Sequence, residues 1–129
     1  MRIEVQTIPH REQRYPTVGD YWDADDTVQI RVSEMDDWRY VILVALHEIV
    51  ESMLARYRGI PEDAIGAFDM EFEKARESGR VSGEPGDAPD SPYRREHFFA
   101  TSLERLLAAE LGVDWAVYEA HVDSLGIKP

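Results

Sequence analysis

The run YVILVALHEIV at Tyr40 to Val50, followed by Glu51, sets three ionisable side chains into an otherwise apolar stretch of this 129-residue chain. His47, Glu48 and Glu51 stand at i, i+1 and i+4, so at about 100° per residue they fall within one helical wedge roughly 100° wide. Val41, Ile42, Leu43, Val44, Ala45, Leu46, Ile49 and Val50 surround them, so the helix is expected to be apolar on nearly every side and buried. A carboxylate left unpaired there costs several kcal/mol. A cation, a metal ion or a water-filled cleft must compensate it. Residues four apart project side by side, so His47 and Glu51 can hold one ion through an imidazole nitrogen and a carboxylate oxygen. Glu48 then points beside the ion, placed to take a proton from metal-bound water. The competing assignment pairs Glu51 with Arg58 or another cation and leaves His47 as a satisfied core histidine.

A metal site needs a further ligand from another element. Asp69, Glu71 and Glu73 in FDMEFE alternate as the acids of a solvated helix face do. His97 and Glu104 are seven apart, nearly two turns, and share a stripe with Thr101 beside them. His97 is therefore the expected third ligand, with Glu104 either accepting from its other ring nitrogen or serving as a fourth ligand. Glu96 falls in the apolar arc of Phe99, Ala100, Leu103 and Leu107. It either reaches solvent from a helix end or is recruited by a buried partner, and it stands as the reserve ligand. The alternative for His97 is a packed or exposed histidine beside Phe98 and Phe99. His10 and His121 have no acidic neighbours at ligand spacing.

HEIVE resembles the HExxH helix of zincin-like metallopeptidases, with Glu51 at the position of the second histidine. The preceding TVQIRVS, followed by WRYVILVALHEIVE, is also similar to the edge strand and active-site helix of small zincins. The likeness runs from Thr27 to Glu51, with HEIVE as its core. It implies hydrolysis of a peptide or protein substrate, a zinc ion and a zincin-like fold. A glutamate at the second ligand position adds negative charge and lowers the Lewis acidity of the ion, so Mn²⁺ or Fe²⁺ are alternatives to Zn²⁺. HEIVE together with EHFFATSLERLLAAELGVDW also resembles uncharacterised small proteins of phages and prophages, a likeness that carries no activity.

Glu48 and Glu51 also supply the first half of the ExxE and ExxD pair with which all-α nucleoside triphosphate pyrophosphohydrolases bind Mg²⁺. The second half is missing, because Glu71 is followed three residues later by Lys74. No Gly-rich phosphate loop, GxSxG elbow or Cys nucleophile is present.

The elements that must position these residues follow from periodicity. Strands are expected at about residues 2 to 8 and at Thr27 to Ser33, where Val28, Ile30 and Val32 alternate with Gln29 and Arg31. The segment from His10 to Asp26, with Pro16 and Gly19, reads as loop with room for a short strand at Tyr21 and Trp22. A first helix starts at Asp36 or Asp37 and runs to about Arg58, where Gly59 takes the left-handed cap. A second follows Pro61, with Glu62 and Asp63 well placed against its dipole, and ends near Ser78. Residues 78 to 92 are dense in Gly, Pro, Ser and Asp, which makes them a long ordered loop or a mobile lid. A third helix opens with Ser91 as cap and Pro92 in first position and closes at Gly112. A short last helix runs from Asp114 to Gly126. The expected fold is one α+β domain over residues 1 to 129. A small N-terminal antiparallel sheet (1 to 34) packs against three or four helices (36 to 126).

Composition bounds the function. There are 14 Lys and Arg against 26 Asp and Glu, a formal charge of −12, and no Cys. Such a chain repels phosphate backbones and anionic membranes, so no direct nucleic-acid or membrane partner is expected. Disulfides and thiolate metal sites are impossible. The longest apolar run, Tyr40 to Leu46, is too short to span a bilayer, and MRIEVQTIPHREQR lacks a signal-peptide core. A cytoplasmic location is expected. The charge also suggests a non-enzymatic alternative: an acidic decoy that fills the nucleic-acid groove of a basic partner, its polar cluster a structural metal site or an ion-pair network. Oligomeric state is not legible.

Overall fold

The computed structural model describes residues 1–125. Three strands come first, β1 (Arg2–Ile8), β2 (Gly19–Ala24) and β3 (Thr27–Ser33). Four helices follow, α1 (Trp38–Tyr57), α2 (Glu62–Glu77), α3 (Arg94–Glu110) and α4 (Trp115–Leu125), giving an α+β architecture.

The sheet order is β1-β3-β2. β2 and β3 form the expected antiparallel pair, a hairpin that turns through Asp25 at φ 57°. β1 lies on the other side of β3 and runs parallel to it, so the sheet is mixed rather than antiparallel throughout. The cause is the connection. Residues 9–18 carry the chain from β1 to the far edge before the hairpin returns it to the centre. Buried Gln13 fastens this crossing, donating from Nε2 to the Val18 carbonyl (3.3 Å) and to Ser33 Oγ (3.1 Å). His10, given no role from sequence, sets Nδ1 2.8 Å from Ser33 Oγ.

β3 is the central strand, so Gln29 and Ser33 are buried along with its apolar residues and the expected alternation of burial is incomplete. Val28, Ile30 and Val32 are buried and pack on Leu43 and Val44 of α1. β1, at the sheet edge, leaves Ile3 and Val5 half exposed. Helix α1 begins where Asp37 accepts from the Arg39 N–H (2.9 Å), and Gly59 at φ 67° follows its end. The all-round burial expected of α1 does not occur: Trp38, Ile42 and Tyr57 are exposed. The strands cover one side of α1 and α3 another, and the third stays open.

Helix α2 starts directly after Pro61 and buries Ile65. Ahead of α3, Ser91 accepts from the Tyr93 N–H (3.3 Å), so it organises the turn before the helix and regular structure starts at Arg94. Gly112, at φ 68°, follows the end of α3. Asp114 Oδ1 accepts from the Val117 N–H (3.1 Å) at the start of α4, whose expected stop at Gly126 lies outside the described residues. Among the described residues no helix is long and apolar enough to cross a membrane.

Candidate metal centre

Helix α3 turns polar residues toward α1. Its buried positions are Glu96, His97, Ala100, Glu104 and Ala108, while Phe98 and Phe99 are largely exposed. The apolar arc expected to hold Phe99 inside is thus replaced by a stripe of carboxylates, imidazole and small alanines. The alanines let α1 and α3 approach closely, and the polar groups satisfy one another across the gap.

Three donor atoms converge there. His47 Nε2 lies 2.9 Å from Glu51 Oε2 and 3.2 Å from His97 Nδ1, and His97 Nδ1 lies 3.0 Å from the same Glu51 oxygen. These residues form a group that could hold a metal ion. Each is at most 8 % exposed. Tetrahedral donors about 2.0–2.1 Å from a zinc ion stand roughly 3.3 Å apart. A small outward relaxation of the triangle reaches that spacing.

Electrostatics at the triangle favour a cation. Burial alone would raise the Glu51 carboxyl, but the bonds to His47 and His97 outweigh it and hold it at about 2. Burial likewise works against a charged His47, yet Glu104 and Glu51 raise it well above the ordinary imidazole range. His97 is also raised, chiefly by Glu51 against the opposing effect of burial. Two rings that both attract protons therefore face one another over one carboxylate oxygen. One divalent ion could replace the two protons and remove the repulsion between the rings.

The groups behind the triangle differ in part from those expected. Glu104 Oε1 lies 2.8 Å from His47 Nδ1, and its Oε2 accepts from the Tyr118 hydroxyl (2.6 Å). It therefore orients His47 and does not serve His97. Seven residues along a helix is a rise of about 10 Å, too far for Glu104 to reach a ring on its own helix. The other nitrogen of His97, Nε2, faces Asp87 Oδ1 (3.0 Å) and Glu84 Oε2 (3.5 Å) of the α2–α3 loop. A Cβ at Gly86 would overlap the His97 ring, so only glycine lets this loop lie against it. Glu96 stands apart, paired with Arg58 Nη1 at 2.7 Å. That uses the cation proposed for Glu51 and leaves Glu51 with the two histidines.

Glu48 is half-buried against β2. A Cβ at Gly19 would come within 2.5 Å of Glu48 Oε1, so the glycine makes the room that this side chain occupies. Burial, reinforced by the charge of Glu51, raises the Glu48 carboxyl well above the usual carboxylate range. Glu48 is not one of the three converging donors.

Tyrosines enclose the acids. Tyr93 and Tyr15 donate to Asp69 at 2.5 and 3.3 Å, so Asp69 is no part of a solvated face. The Tyr21 hydroxyl is buried, and burial together with the charge of Glu51 and a hydrogen bond to it raises its phenol. One signal for Asp69 was present in the sequence: it lies one turn beyond Ile65, on the inward edge of α2. His121 packs its ring on Tyr40 and takes no part in the site.

Asp69 gives a pH prediction. Burial raises its carboxyl to about 6, above the unfolded value near 3.9, with the Tyr93 hydroxyl pulling the other way. The folded chain then binds this proton more tightly than the unfolded chain, so its stabilising contribution is present at low pH and lost as pH rises from about 4 through 6. Urea unfolding should show wild type losing about 2 kcal/mol more than Asp69→Asn across that window. Parallel pH dependence of the two proteins would contradict the assignment.

No family model, curated protein or solved structure matches the chain.

Proposed function

We propose that the chain is a metal-dependent hydrolase of zincin-like type, with one divalent ion, zinc first, held by His47, Glu51 and His97. The convergence of three donor atoms from α1 and α3 within 3.2 Å of one another carries this reading. When bound, such an ion supplies Lewis acidity and lowers the pKa of water. Glu104 fixes the ring of His47 and Asp87 that of His97, as outer partners of histidine ligands do. Glu48, next to His47 on α1, is the base that takes the proton of the attacking water. The resemblance of HEIVE to the zincin helix makes a peptide or protein the favoured substrate.

A second reading has its own support in the burial of all three donors, since structural sites are closed and catalytic sites keep a position open. In it the ion is structural and the acidic chain is a binding protein. Glu48→Gln separates the two. The hydrolase reading expects full metal content with a loss of about 100-fold or more in peptide-hydrolysing activity. Unchanged activity in Glu48→Gln, or no activity of the wild type against a broad peptide panel, would leave the structural reading.

A further inference from the structure

A groove of about 590 Å³ opens between α2 and the loop that leads to α3, a volume ordinary for a ligand site. Its apolar surface comes from Phe68, Phe72, Ala75, Val81, Ala88 and Pro89, and its polar surface is almost entirely acidic: Glu71, Glu84, Asp87 and Asp90. No lysine or arginine is among the lining residues. Lys74 reaches Glu71 from α2 at 3.3 Å, and Arg76 is occupied by Glu73 and by the carbonyls of Gly83 and Pro16. Glu84 and Asp90 are both exposed. The groove borders the back of the candidate centre, because Glu84 and Asp87 also face His97 Nε2.

We propose that this groove binds an extended peptide segment that alternates basic and apolar side chains, the basic ones against Glu84 and Asp90 and the apolar ones on Phe68 and Phe72. Charge complementarity selects this occupant. A second copy of a chain carrying −12 is repelled, and an acidic or purely apolar segment leaves the carboxylates without partners. The proposal deepens the hydrolase reading by naming its substrate class, yet binding here does not require that the centre be catalytic.

The test is fluorescence anisotropy of the full chain, with and without zinc, using a fluorescein-labelled octapeptide of alternating arginine and leucine and a matched peptide with glutamate for arginine. The arginine peptide should bind at least tenfold more tightly than the glutamate peptide, and its binding should weaken as salt rises. Glu84→Gln/Asp90→Asn should weaken it three- to tenfold. Phe72→Ala, which keeps every charge, should weaken both peptides. Equal binding of the two peptides, no binding, insensitivity to all three substitutions, or sedimentation showing that a second copy fills the groove would overturn the proposal. Tight, salt-sensitive binding without cleavage supports the groove and counts against the hydrolase reading. Cleavage of both peptides at equal rates counts against the groove alone.

Discussion

Adding a divalent ion to the metal-free chain should raise its thermal midpoint by on the order of 10 °C. An ion that binds only the folded state stabilises it by about 4 kcal/mol when present at 1,000 times its dissociation constant. For a domain of this size each kcal/mol moves the midpoint by a few degrees. The candidate ligands come from two helices, Glu51 and His47 from α1 and His97 from α3, so an ion held there would tie together elements that the unfolded chain separates by 46 residues or more. Differential scanning fluorimetry with Zn²⁺, Mn²⁺ and Fe²⁺ checks this and ranks the metals. The shift should fall on acidification, because protons compete for His47 and His97. A midpoint that no divalent ion moves would count against the site.

In the metal-free state His47→Ala should cost about 3–5 kcal/mol, the range seen when one partner of a buried ion pair is removed. His47 stands between Glu51 and Glu104, with side-chain exposures of 10 % or less for all three. Its loss leaves Glu104 with the Tyr118 hydroxyl and Glu51 with His97. Glu104→Gln keeps an oxygen acceptor for the His47 ring and sets an amide N–H against the Tyr118 phenol oxygen, which can accept, so it should cost about 1 kcal/mol. Chemical denaturation of the two variants in chelator measures the contrast. Equal and small losses would mean that the cluster is solvated in solution.

The fold was legible where local periodicity decides it. Val28, Ile30 and Val32 announced β3, and Asp37, Gly59, Pro61 and Gly112 punctuated the helices where the structure has their ends. The parallel pairing of β1 was not legible, because it depends on where residues 9–18 cross and on the contacts of Gln13. The pairing of His47 with Glu51 could be read from one helix, since i, i+4 geometry needs no tertiary knowledge. The partner of Glu104 could not, because it is set by how α1 lies on α3. Nor could the loop contacts of Asp87 and Glu84, which depend on Gly86 lying against the His97 ring. Treating each helix as an isolated wheel also misplaced Phe99, since on α3 the buried stripe is the polar one.

The most direct measurement is the metal content of the purified, metal-supplemented chain beside its Glu51→Gln variant, which keeps the shape of the side chain and removes its charge. One divalent ion per wild-type chain, with loss of most of it from the variant, is the result expected of a centre built on His47, Glu51 and His97. Substoichiometric metal in the wild type, or equal metal in both proteins, would contradict it.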